Sequence, residues 1–387
     1  MNTRFGRTPL LSLLVGCATV WLSVACSGEI RTGTTKRTVT SHIRKSVFGQ
    51  TADGTTVHLF TLTNTNGMVV KITNFGATLT SIVVPDKNRI PGDVVLGFDS
   101  LSRYLSGQPY LGALIGRYSS FLGHGRFSID GKTYQLATNA GTNHLHGGIK
   151  GFDKKVWQAE ERPPGNGSSL QLTYRSPDGE EGYPGNLDCK VTFTLTDQNE
   201  LQIDYEARTD QTTPVNLTHH AYFDLSAGAA PTILHHELQI NADHFVVMDP
   251  KMVPTGELRA VKNTPLDFRK ATTIGSRMEQ LPGAYDHNYR LNPPKNKPIR
   301  LAASAFEPLS GRYLEVFTTE AGLELATSNW LNGKLKGKAN RSYAKQSGFL
   351  LYPQHLPDSP NQPSFPSTLL KPGEVYHQTT IYKFSTK

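Results

Sequence analysis

From Val57 onward, short runs of β-branched and aromatic residues are separated by Gly, Asn, Asp and Pro, the pattern of successive strands joined by tight turns. Gln171-Leu172-Thr173-Tyr174 and Leu201-Gln202-Ile203-Asp204-Tyr205 alternate between polar and apolar, as strands do when one face lies on a core. The same reading predicts strands at Val69–Thr73, Thr78–Val84, Gly125–Ile129, Ser169–Tyr174, Lys190–Leu195, Leu201–Ala207, Leu238–Ile240 and Tyr376–Phe384, with a turn at Asp130-Gly131. Helical patterns are confined to two short connectors, Leu101 to Leu105 and Ile274 to Leu281. No internal repeat or low-complexity stretch divides the chain. The expectation is all-β: one large antiparallel β-sandwich over residues 51–387.

Composition agrees with a folded, turn-rich body: 37% of residues are hydrophobic, with 35 Gly and 24 Pro. The formal charge of +8 suggests nucleic acid until its distribution is examined. Residues 1–46 hold seven Lys/Arg and one acid, a net of +6 that leaves about +2 for the rest. A near-neutral body excludes nucleic acid as the expected partner. The basic arm reads as an export signal: Arg4 and Arg7 precede an apolar run from Pro9 to Ala25 that is too short for a comfortable membrane span. Cleavage is expected before Cys26, which removes the whole apolar stretch; Leu14-Val15-Gly16-Cys17 is the alternative box. On this reading residues 1–25 are a signal peptide and 26–50 a flexible tether. A lipid on Cys26 would anchor a periplasmic protein to the membrane, and a soluble periplasmic or secreted protein is the alternative. Cys189 stands alone in the body, so no internal disulfide is expected.

Four segments carry candidate chemistry. In Asn143-His144-Leu145-His146-Gly147-Gly148, an extended backbone would turn His144 and His146 to one side. No third ligand at a diagnostic spacing supports a metal, and structural hydrogen bonding by at least one of the two is the plainer role. In Asn216-Leu217-Thr218-His219-His220-Ala221-Tyr222, adjacent strand residues face opposite ways, so one histidine alone can enter a given site. That one could serve as a general acid, or be a core histidine satisfied by a carbonyl. Tyr285-Asp286-His287-Asn288-Tyr289 places a carboxylate among aromatics, which suits sugar hydroxyls and the apolar face of a sugar ring, and equally suits a turn. The proline-rich run Tyr352-Pro353-Gln354-His355-Leu356-Pro357-Asp358 is a rigid loop able to hold a site or brace a sheet edge.

In this order, and with Asn74-Phe75-Gly76-Ala77, Gly116-Arg117-Tyr118 and Asp178-Gly179-Glu180-Glu181-Gly182-Tyr183 between them, these segments resemble the aldose 1-epimerase family from about residue 50 to the C-terminus. The resemblance implies a galactose mutarotase-like supersandwich that interconverts the α and β anomers of free hexoses, with no cofactor and no metal. It makes His220 the acid that protonates the ring oxygen, His146 a sugar-binding histidine and Asp286 the carboxylate that grips hydroxyls. Tyr222 and Phe121 join the implied substrate pocket.

The sequence departs from the family pattern where chemistry is expected. The position of the catalytic glutamate, which takes the proton of the anomeric hydroxyl, is Tyr352. At pH 7 roughly one phenol in a thousand is ionised, and bringing it to neutrality needs about 4 kcal/mol of preferential stabilisation. Ser120 and Phe121 replace an asparagine and a sugar-binding arginine, and His219 and Asp224 replace asparagines. Three functions follow: a mutarotase using His220 with a substitute base, such as Tyr352, a water, or an acid brought in from Glu324 or Asp358; a noncatalytic carbohydrate-binding relative; or a relative turned to another ligand. A glycoside hydrolase is disfavoured, since Asp286 lacks an evident carboxylate partner.

Overall fold

The computed structural model describes residues 41–387 apart from 164, 166 and 295–297. The signal peptide, Cys17, Cys26 and most of the tether lie outside the described residues.

Three antiparallel sheets make up most of the body. Nine strands form the largest, in the spatial order Gln158–Arg162, Gly167–Ser176, Leu187–Thr196, Glu200–Thr209, Tyr376–Thr386, Arg312–Thr318, Arg300–Phe306, Glu237–Ile240 and Thr272–Thr273. The alternation seen in the sequence governs its packing: Leu170, Leu172, Val191, Phe193, Leu195, Leu201 and Ile203 are fully buried and share one core, while residues between them are half-exposed. Each predicted strand lies within an observed one except the first residue of Gly125–Ile129, where the strand starts at Arg126. Leu101–Leu105 is a short α-helix, and the second connector is two 3-10 turns, Ile274–Ser276 and Met278–Gln280.

The body starts earlier than residue 51. His42–Gln50 is a strand paired with Thr56–Thr63 at the edge of a five-stranded sheet, so the last part of the proposed tether is folded. Alternation hides it, because a bulge between Val47 and Gly49 breaks the period and the strand is largely exposed. Arg44 and Lys45 on this edge discourage pairing with another chain.

The third sheet positions the site. Its six strands run in the order Tyr222–Phe223, Phe349–Gln354, Gly322–Ala326, Asp286–Arg290, His244–Met248 and Pro254–Ala260. Every residue of Phe349–Gln354 and Gly322–Ala326 is buried, because both faces are covered. Leu323, Leu325, Phe349 and Leu351 point to the main core, whereas Ala326, Leu350 and Tyr352 belong to a second apolar cluster with Tyr222. A strand buried on both faces shows no polar alternation. Pro353 fits here because the neighbouring Tyr222–Phe223 strand pairs only with Leu350 and Phe349, leaving no strand beyond Pro353 to ask for its missing N–H.

Candidate active site

Side chains at directly paired positions of an antiparallel sheet leave from the same face. In the six-stranded sheet Asn288 pairs with Glu324 and Glu324 with Tyr352, so these three form one row. Asp286 pairs with Ala326, Ala326 with Leu350 and Leu350 with Tyr222, which makes the adjacent row. The two rows are the floor of a cavity of about 230 Å³. That is below the roughly 300–1,000 Å³ of sites for drug-sized ligands and suits one small ring.

The wall opposite comes from loops and two short strand pairs. Thr218–His219 pairs with Leu114–Ile115, and the expected alternation divides the two histidines. His219 enters the core, where Nε2–H donates to the Ala77 carbonyl at 2.9 Å and Nδ1 accepts from the Tyr205 hydroxyl at 2.9 Å. His220 enters the cavity, its ring 4.8 Å from that of Tyr352, 5.1 Å from His146 and 5.3 Å from Tyr222. Its Nδ1 is buried without a hydrogen-bond partner.

His144 and His146 separate too, against the expectation that they share a side. His146 has φ of +52°, so the backbone turns after the His144–Leu145 strand. His144 is structural, with Nδ1–H donating to Ala137 O at 2.8 Å and Nε2 accepting from the Tyr183 hydroxyl at 2.7 Å. His146 lines the cavity, and the Ser120 backbone N–H donates to its Nδ1 at 3.1 Å. A nitrogen that accepts cannot carry the proton of a neutral ring, so Nε2–H is left to donate into the cavity. Ser120, standing where the family pattern has asparagine, thus fixes this tautomer through its main chain. Phe121 is half-buried, faces Leu145 across the strand pair, and lines the cavity with it.

The site residues expected from sequence, His220, Tyr352, His146, Asp286, Tyr222 and Phe121, therefore all meet in one cavity. The two carbon-rich rings Tyr110 and Trp330 also line it and were not anticipated. Trp330 is 42% exposed at the rim, and its Nε1–H donates to the Tyr222 hydroxyl, which donates onward to Pro109 O. Both lie outside the recognisable motif cores, and their only signal in sequence is aromaticity near turn residues. Asn288 is oriented from behind, since its Oδ1 accepts from Gln354 Nε2 at 2.6 Å and Gln354 Oε1 accepts from Ser119 Oγ at 2.6 Å. Its amide N–H groups are thereby directed away from Gln354.

Of the two acids offered by sequence as replacements for the missing glutamate, Glu324 lines the cavity. Asp358 does not; it accepts from Gly123 N–H at 2.9 Å and its own N–H donates to Phe121 O at 2.9 Å, bracing the proline-rich loop against the Phe121–Leu122 strand. Asp224 is likewise structural, receiving Ser226, Gly228 and Arg341 donors.

Burial sets the charge states. It holds the His220 imidazole at about 3, and holds His146 well below its ordinary value with added repulsion from His220, so both rings are neutral near pH 7. Burial, then the nearby Asp286, pushes Glu324 well above the usual carboxyl range. Asp286, whose residue is exposed at the mouth, is raised by its packed surroundings and lowered by a hydrogen bond with Glu324. Burial, with Glu324 and Asp286 beside it, also pushes the Tyr352 phenol well above its ordinary value. The cavity thus offers neutral imidazoles beside a carboxyl and a phenol that both resist ionisation.

The model of the family described as aldose 1-epimerase matches residues 58–383. The chain is 46% identical to galactose mutarotase of Bos taurus over 89% of its length and 98% of that protein. It is 36% identical to aldose 1-epimerase of Escherichia coli K12, covering 86% of this chain and 96% of that protein. Among solved structures it is similar to galactose 1-epimerase of Lactobacillus acidophilus, with TM-score 0.79 and 27% identity over 90% of this chain and 99% of the other. The aldose epimerase homologue of C. elegans gives TM-score 0.77 and 28% identity over the same shares.

Proposed function

Since the chain belongs to the aldose 1-epimerase family, we propose that this cavity interconverts the α and β anomers of a free hexose by acid–base ring opening. The observation that carries the reading is the convergence of His220, His146 and two carboxyls, Asp286 and Glu324, on a cavity sized for one ring. Opening a cyclic hemiacetal requires a proton delivered to the ring oxygen while another leaves the anomeric hydroxyl. His220 is assigned to the ring oxygen and a carboxyl to the anomeric hydroxyl. His146 Nε2–H donates to a sugar hydroxyl, Asp286 accepts from one or two more, and the exposed Trp330 ring covers an apolar sugar face. Phe121 supplies contact area in place of a charged grip, so affinity for the sugar rests more on apolar cover. No metal or organic cofactor is part of this assignment.

Polarimetry of fresh α-D-glucose and α-D-galactose with the purified body tests the reading. The expected outcome is acceleration over buffer that falls about 100- to 10,000-fold in His220→Ala. Binding of either sugar with no acceleration would favour a noncatalytic carbohydrate-binding relative, and neither binding nor acceleration would favour another ligand class.

We also propose export to the periplasm with lipid attachment at Cys26, supported by the basic and apolar pattern before it. Mass spectrometry of the membrane-extracted protein should find a lipid-modified N-terminal Cys26; an intact residue 1–25 segment would reject the proposal.

A further inference from the structure

A mutarotase needs a group that takes the anomeric proton, and the position that the family resemblance gives to that group is Tyr352. Tyr352 is poorly suited. A phenol ordinarily ionises about six units above a carboxyl, and in Tyr352, which is 5% exposed, burial and the acids beside it raise that further. Yet the residue directly opposite it on the next strand is an acid. Glu324 pairs in register with Tyr352, and paired positions of an antiparallel sheet bring Cβ atoms to about 4.5–5.5 Å on one face. A glutamate has two methylenes of reach, so its carboxyl can serve the same part of the cavity as a side chain rooted at 352.

The partner of the Glu324 side chain is the carboxyl of Asp286, which also lines the cavity. Glu324 is 3% exposed, and no lysine or arginine among the described residues pairs with it; the charge that acts on it is another acid, Asp286. A buried acid without a cation costs stability. Structural acids in this chain are handled differently: Asp224 is met by Arg341, and Glu320 by His355 and Tyr376. Glu324 instead meets the Asp286 carboxyl, and two carboxyls joined by a hydrogen bond, both lining one cavity, point to chemistry. Asp286 is the less suitable base, because it stands in the adjacent row, opposite Ala326, and is exposed at the mouth.

We propose that Glu324 exchanges the proton of the anomeric hydroxyl, the base having moved one strand across the sheet from the position held by Tyr352. This rests on the anomer-interconverting reading above. In the ring-opening step the Glu324 carboxylate takes the proton of O1, and the C1–O5 bond breaks with its electron pair going to O5. O5 takes the proton of the His220 imidazolium, and C1 and O1 become the aldehyde. After rotation about C1–C2, His220 recovers the proton as O5 attacks C1, and Glu324 returns its proton to O1. Moving one proton from a Glu324 carboxyl to a neutral His220 gives the carboxylate and imidazolium of this step, so the pair supplies its own proton. Tyr352 then packs over the His220 ring and supplies apolar cover.

The test moves the carboxyl. Glu324→Gln keeps size, is expected to melt close to the wild type in thermal denaturation, and is expected to lose at least about 100-fold in mutarotation rate. Adding Tyr352→Glu to Glu324→Gln returns the carboxyl to the other strand and is expected to restore at least about tenfold of that loss. Tyr352→Phe, which deletes the phenolic proton, is expected to lose less than Glu324→Gln. Activity that survives in Glu324→Gln, or a Tyr352→Phe loss as deep as that of Glu324→Gln, overturns the inference while leaving the activity intact. No acceleration by the unaltered protein overturns the activity reading, and this inference with it.

Discussion

The interior of the nine-stranded sheet and the inner row of the cavity floor, Asn288, Glu324 and Tyr352, are both buried, but they treat polar groups in opposite ways. In the interior every imidazole nitrogen of His219 has a partner, Ala77 O on one side and the Tyr205 hydroxyl on the other. His144, beneath the cavity wall, is satisfied in the same manner by Ala137 and Tyr183. On the cavity side, one residue from His219 and two from His144, His220 keeps a buried Nδ1 with no partner and His146 presents Nε2–H; on the floor Glu324 is buried beside another acid. Satisfied polar groups hold a fold together; unsatisfied ones cost stability and remain available to a ligand. Adjacent histidines thus separate stability from chemistry, and the pair His219 and His220 is where that division can be tested.

The largest expected contrast is between the two alanine variants. His220→Ala should lose activity by the 100- to 10,000-fold range given above while losing clearly less stability than His219→Ala, since its Nδ1 has no partner to lose and its ring lines a cavity. His219→Ala should lose about 3–5 kcal/mol of stability in urea denaturation, because it opens a cavity and strands two buried polar groups. Equal loss of stability in both would break the comparison. A pH series sharpens it next. Burial holds His219 at about 4 and His236 at about 4, below the unfolded value near 6.5. The unfolded chain therefore takes up protons first on acidification. Stability from these residues is complete above about pH 6.5 and is lost as pH falls toward 4, by about 3 kcal/mol for His219 at 1.36 kcal/mol per unit. A flat profile between pH 7 and 4 would reject neutral burial. The smallest effect is expected of Tyr205→Phe, about 1–2 kcal/mol, from leaving His219 Nδ1 unpaired.

Much of the fold is legible locally. Gly167–Ser176, Leu187–Thr196 and Glu200–Thr209 alternate because one face packs on the core, and period 2 survives in any sheet built from them. The strands that build the cavity floor are harder to read. Phe349–Gln354 and Gly322–Ala326 are buried on both faces and so carry no polar alternation, and Pro353 argues locally against a strand at all. His42–Gln50 is obscured by its bulge and its exposure.

The strand-rich body, the opposite orientations of His219 and His220, and the replacement of the expected glutamate by Tyr352 can be read along the chain, because each depends on near neighbours or on residue identity. Long-range packing sets which way His146 turns, that Asp358 braces a loop, and that Glu324 stands opposite Tyr352. Register between strands is set by how their faces bury and by the loops that join them, and no local pattern in either strand records it.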